Sequence, residues 1–130
     1  MKTTIQKLDS IKTATNLLTD VCHKAASLWW VGKDGSDIRD NPLNFSNKLC
    51  LIHSEISEAM EGDRKNKMDD HLPHRPMREV ELADALIRIF DLAGGYGLDL
   101  GGAVAEKLEY NAKRADHKPE NRNAIGGKVY

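Results

Sequence analysis

Four carboxylates stand in two matched pairs, Glu55 and Glu58 in EISE and Glu81 and Asp84 in ELAD, with residues 59–80 between them. A spacing of three puts both members of a pair on one side of a helix. If the two helices run antiparallel, the pairs fall at one height, because Glu55 and Glu58 lie five to eight residues before Asp63, and Glu81 and Asp84 four to seven after Met77. Four carboxylates in one layer repel strongly, and a hard divalent cation bound through oxygen ligands relieves that repulsion best. Magnesium is the expected ion, with manganese as its substitute. On a chain with 20 acidic residues, either pair alone is equally the mark of a solvated helix face.

A second group lies in KLEYNAKR, where Lys107, Asn111 and Arg114 share a helix face bordering Val104, Leu108 and Ala112, while Glu106, Glu109 and Lys113 point outward. This is an anion-binding face beside a core. Counted across the GGYGLD turn, Lys107 and Asn111 come level with Asp84 and Glu81, so phosphate-binding cations and metal-binding acids can share one cavity if the helices are neighbours. The alternative is that Lys107 and Arg114 form ordinary bridges to Asp91 or other acids.

Positioning these residues requires helices. Ile5, Leu8, Ile11, Leu18, Val21, Cys22, Ala25 and Leu28 recur at helical spacing and predict a first helix over residues 4–30, ending at the Gly-rich VGKDGSD. A second begins near Asn44, a suitable N-cap, and stops near Gly62. The polar link RKNKMDDHLPHRP is longer than usual between packed helices. A third helix starts near Met77 after Pro76 and breaks at the glycines of residues 94–97, and a fourth runs over residues 100–116 with Asp99 as its cap. Period-two alternation is absent. The expected fold is all-α, a four-helix-bundle-like core in a single domain over residues 1–130, with residues 117–130 an extended tail.

In the third helix Glu81, Asp84, Arg88 and Asp91 make one narrow polar strip, and Val80, Leu82, Ala83, Leu86, Ile87, Ile89 and Phe90 cover most of the rest. Such a helix is mostly buried, and a lone bundle has difficulty covering it, so a homodimer or homotetramer is expected. Lys and Arg (19) nearly balance Asp and Glu (20), which gives no reason to expect a nucleic-acid polymer or membrane as partner. The first residues lack the apolar core of a signal peptide and no stretch is apolar enough to span a membrane, so a cytoplasmic location is expected. Cys22 and Cys50 lack metal-site spacing and read as two buried thiols. His53, His71 and His74 read as surface or loop residues. Asp20 and His23 are spaced as half a metal site, but no partner motif matches them. Trp29 and Trp30 are either a platform for stacking on a base or a plug for the core. The glycines are not followed by the Gly-Lys-Ser/Thr of a phosphate loop.

Together, EISE, the 22-residue spacer, ELAD and KLEYNAKR resemble the signature of the all-α nucleoside triphosphate pyrophosphatases, the MazG-like superfamily. The resemblance covers residues 45–115, and the C-terminal GGK ending at Lys128 is similar to tails in that group. It implies hydrolysis of a (deoxy)nucleoside triphosphate to monophosphate and pyrophosphate, with Glu55, Glu58, Glu81 and Asp84 holding magnesium. Glu58 would activate the water, and Lys107, Asn111, Arg114, Trp30 and Lys128 would bind the nucleotide. Nucleotide-pool house-cleaning is the role it suggests, and members also assemble as dimers or tetramers. Dimeric dUTPases and phosphoribosyl-ATP pyrophosphatases share the helical core with other substrates, so the base stays open. The competing expectation is a non-catalytic helical interaction module whose acid strip is spent on structural salt bridges.

Overall fold

The structure, a computed structural model, describes residues 7–114 together with positions 120 and 126. Among the described residues it is all-helical, with four α-helices: α1 (Leu8–Ala25), α2 (Asn44–Arg64), α3 (Met77–Gly95) and α4 (Leu100–Lys113). The only extended pairings among them are two isolated bridges, Val31 with Asp37 and Met68 with Pro76. None of these helices is long and apolar enough to cross a membrane. Lys128 and the expected tail, apart from positions 120 and 126, lie outside the described residues, as does the expected start of the first helix.

Contacts gather in two compact units, Leu18–Leu98 and Met1–Leu17 with Asp99–Tyr130. In the first, α2 and α3 form the principal packed pair. Their seam is built of small residues: Ala59, Gly62 and Ala85 are all buried. A Cβ on Gly62 would stand 2.8 Å from Met77 Cβ, so glycine sets how closely the end of α2 approaches the start of α3. Small residues bring helix axes close but bury little apolar area, roughly 0.8 kcal/mol per methyl-sized group. The larger buried apolar side chains are Trp30 and Leu92. Gly95 makes room for Trp30, whose Cη2 would lie 2.1 Å from any Cβ there.

The link after α2 is ordered by its own polar groups. The Asp69 carboxylate accepts the backbone N–H of His71 at 2.9 Å and of Leu72 at 2.7 Å, and its own N–H donates to the Arg75 carbonyl. This turn returns the chain so that Met77 N–H reaches the Lys67 carbonyl and α3 can start.

Three sequence expectations need correction. The first helix does not continue to Trp30: it stops at Ala25, and Ser27–Trp30 is a separate 3-10 turn. Asn44 is no N-cap, for Leu43 holds that position and the buried Asn44 amide donates instead to Tyr96 Oη at 2.8 Å. Neither cysteine is buried, Cys22 being intermediate and Cys50 exposed. Other expectations hold. Asp99 caps α4 through Gly102 N–H at 3.0 Å, Pro76 precedes α3, and Gly97 follows its end with φ 63°. In that second unit, Gly101 lets α4 approach α1, where Asn16 Oδ1 accepts its N–H at 3.0 Å.

Candidate metal centre

The packed pair α2–α3 turns the polar strip of α3 inward. Glu55, Glu81 and Asp84 each offer one carboxylate oxygen such that these atoms all lie within 4.8 Å of one another. Glu81 is 8% exposed, and its Oε2 is buried without a hydrogen-bond partner. A buried, unpartnered carboxylate oxygen is costly and calls for a proton or a cation. Burial, then hydrogen bonding to Glu55 and the nearby charge of Glu58, push the Glu81 carboxyl up to about 8. Burial and then the charge of Glu55 also raise Asp84, with Arg88 partly opposing them and Asp69 adding to the rise.

Of the four expected ligands, three thus converge. Glu58 is exposed and stands outside the triad, though close enough to Glu81 to disfavour its charge. The oxygen set is of the hard, carboxylate kind that suits magnesium or manganese, with Glu81 Oε2 as the atom most in need of a cation.

Beside the triad lies a cavity of about 310 Å³, lined among others by Trp29, Lys48, Glu55, Asp84, Arg88 and Asp91. Arg88 Nε donates to Glu55 Oε1 at 2.9 Å, an ion pair within the acid site. Lys48 rests over the Trp30 ring, its Nζ 4.3 Å from the centroid. The two tryptophans divide the roles left open by the sequence. Trp30, the position assigned to the nucleotide by resemblance, is 3% exposed; its Nε1 donates to Asp91 Oδ1 at 2.8 Å, and its ring meets His23 and Tyr96 edge-on. It is the core plug. Trp29, 76% exposed, is the indole that lines the cavity.

Sequence reasoning missed Lys48 and Asp69 as neighbours of the acids. Lys48 sits two helical turns before Glu55, and that spacing is its only signal. Asp69 had none, because its turn is defined by tertiary pairing. Asp20 and His23 do not form half a metal site: Asp20 pairs with Lys24, and His23 Nδ1 donates to Asp91 Oδ1 at 3.0 Å. His53, His71 and His74 are exposed, as expected.

Lys107, Asn111 and Arg114 belong to the other compact unit. There Lys107 Nζ lies 4.5 Å from the Tyr110 ring centroid and Arg114 Cζ 5.9 Å. Arg114 is the C-cap of α4, just past its last turn, and Asn111 Oδ1 is buried without a hydrogen-bond partner.

Compared with models of protein families, with curated proteins and with solved structures, the chain matches none.

Proposed function

We propose that the chain is a divalent-metal-dependent nucleotide pyrophosphohydrolase, converting a (deoxy)nucleoside triphosphate to monophosphate and pyrophosphate, with a role in clearing unwanted nucleotides. The observation that carries the reading is the convergence of Glu55, Glu81 and Asp84, one oxygen of each within 4.8 Å of the others, with Glu81 Oε2 buried and without a hydrogen-bond partner. The residue pattern EISE, ELAD and KLEYNAKR, similar to MazG-like enzymes, supplies the substrate class. Glu55, Glu81 and Asp84 would hold magnesium, which would supply charge neutralisation for a polyphosphate and a water more acidic than bulk. Exposed Glu58, at the edge of the triad, is the candidate base to orient or deprotonate that water. The resemblance alone names Lys107, Asn111 and Arg114 of α4 as phosphate contacts.

The same reading includes a homo-oligomer. On the face of α3 away from the acids, Leu82 and Leu86 are each about half exposed. Full burial of each would gain on the order of 1 kcal/mol, a drive for association that a second copy can satisfy.

A second reading has one specific observation behind it. The Arg88–Glu55 pair is what a non-catalytic helical module would contain, with its acids spent on structural bridges. Pyrophosphate release across a panel of ribo- and deoxynucleoside triphosphates, with magnesium and with manganese, separates the two. Release abolished by chelation is expected; no release with any nucleotide, together with no heat of metal binding, would leave the module.

A further inference from the structure

Two cations lean on the Trp30 ring, and they differ in one respect. Arg39, 5.6 Å from the ring centroid, is fully engaged: Nε and Nη2 donate to Asp37, and Nη1 donates to the Gly95 carbonyl at 2.7 Å. Lys48, 4.3 Å from the centroid and half-buried, makes no ion pair among the described residues. A partly desolvated ammonium with only a ring face for company lacks its counter-ion. Lys48 lines the cavity beside the acid triad.

Arg88 lines the same cavity and has capacity to spare. Its Nε is anchored on Glu55, whereas Nη1 and Nη2 make no hydrogen bond among the described residues. The guanidinium is a rigid fork, so anchoring Nε aims the Nη1–Nη2 edge and leaves it able to take two oxygens of one phosphoryl group. Lys48 and Arg88 share this lining with Glu55, Asp84 and Asp91, so a divalent cation at the acids would turn it net positive. Exposed Trp29 offers an indole at the same cavity.

We propose that this cavity is the seat of a polyphosphate chain, gripped by Lys48 and by the Nη1–Nη2 edge of Arg88, with Glu55 serving both as metal ligand and as the anchor that aims Arg88. The inference rests on the polyphosphate reading above and adds to it a pair of binding cations that stand within the acid-bearing unit itself. Arg39, already spent on Asp37, takes no part.

The test is calorimetric titration of inorganic triphosphate into the full chain, with and without saturating magnesium, for wild type, Lys48→Gln, Arg88→Gln and the control Arg39→Gln. Triphosphate affinity is expected to fall about tenfold or more in each of the first two, and to stay at the wild-type level in the control. Arg88→Lys keeps the charge without the fork and is expected to recover only part of the loss. Equal triphosphate affinity in wild type, Lys48→Gln and Arg88→Gln overturns the inference, as does a wild type that binds no triphosphate. If wild type binds triphosphate through these two cations yet takes up no magnesium, the grip stands and the metal reading falls. Thermal midpoints of the variants near that of wild type show that losses are local; should Lys48→Gln unfold, Lys48→Met and Arg88→Gln carry the same comparison.

Discussion

The two faces of α3 are reversed from what helix amphipathicity leads one to expect. The face toward α2 carries Glu81, Asp84 and Arg88 along with buried Ala85 and Leu92, whereas the face away from it carries Leu82 and Leu86 with about half their surface in solvent. Charge inside and leucine outside is costly on both counts for a chain by itself. The contrast teaches that the two faces suit different chemistry: the inner one fits a cation, the outer one fits apolar surface.

The largest effect is expected from the inner face. Glu55→Gln, Glu81→Gln or Asp84→Asn should each lower metal-dependent turnover by about 100-fold or more, because each deletes a ligand oxygen while keeping side-chain shape. In the metal-free protein Glu81→Gln should raise stability by about 1 kcal/mol or more, since it removes a carboxylate crowded by Glu55 and Glu58. Turnover at the wild-type level in two of the three variants would break the assignment.

A smaller effect concerns protons. The Glu81 carboxyl in the folded chain stands at about 8, above its ordinary 4.5. Its contribution to stability is therefore full below about 4.5 and is lost as pH rises towards about 8, so the metal-free protein should weaken across that window. Magnesium must displace the same proton, and its affinity should rise by up to about tenfold per pH unit below pH 8, then level off. Asp84, also raised, acts in the same direction. Calorimetry at pH 6, 7 and 8 measures this; an affinity flat over that range would remove Glu81 from the ligand set.

The smallest effect is expected from the outer face. Leu82→Asp with Leu86→Asp should lower the mass in solution about twofold or more, to the 14.5 kDa of one chain, by placing charge where a second copy would pack. Metal affinity of the α2–α3 site should stay within about threefold of wild type, since sites without shared partners behave independently. Light scattering checks the first point. A wild type already at 14.5 kDa with full activity would show that α3 tolerates its exposed leucines without a partner.

Much of the site was legible because helical spacing is a local property. Three-residue spacing put Glu55 beside Glu58 and Glu81 beside Asp84, and the break before Met77 implied the antiparallel return that brings Glu55, Glu81 and Asp84 together. Side-chain competition was less legible. Asn44 looked like a cap from its neighbours in sequence, but a hydrogen bond to Tyr96, 52 residues away, was available to it. Trp29 and Trp30 are chemically identical, and only the space left by Gly95 and the acceptor on Asp91 put one in the core and the other on the surface.

By itself the sequence determined the helices, their start at Pro76 and Asp99, and the acid spacing, because propensity, capping and periodicity act over a few residues. Tertiary structure alone decided which face of α3 turned inward. The small seam of Ala59, Gly62 and Ala85 draws α2 and α3 together on the acid side, so Glu81 is buried, Glu58 stays exposed, and Lys48 meets Arg88 across one cavity. Burial and long-range pairing are properties of the packed pair, and no window of a few residues contains them.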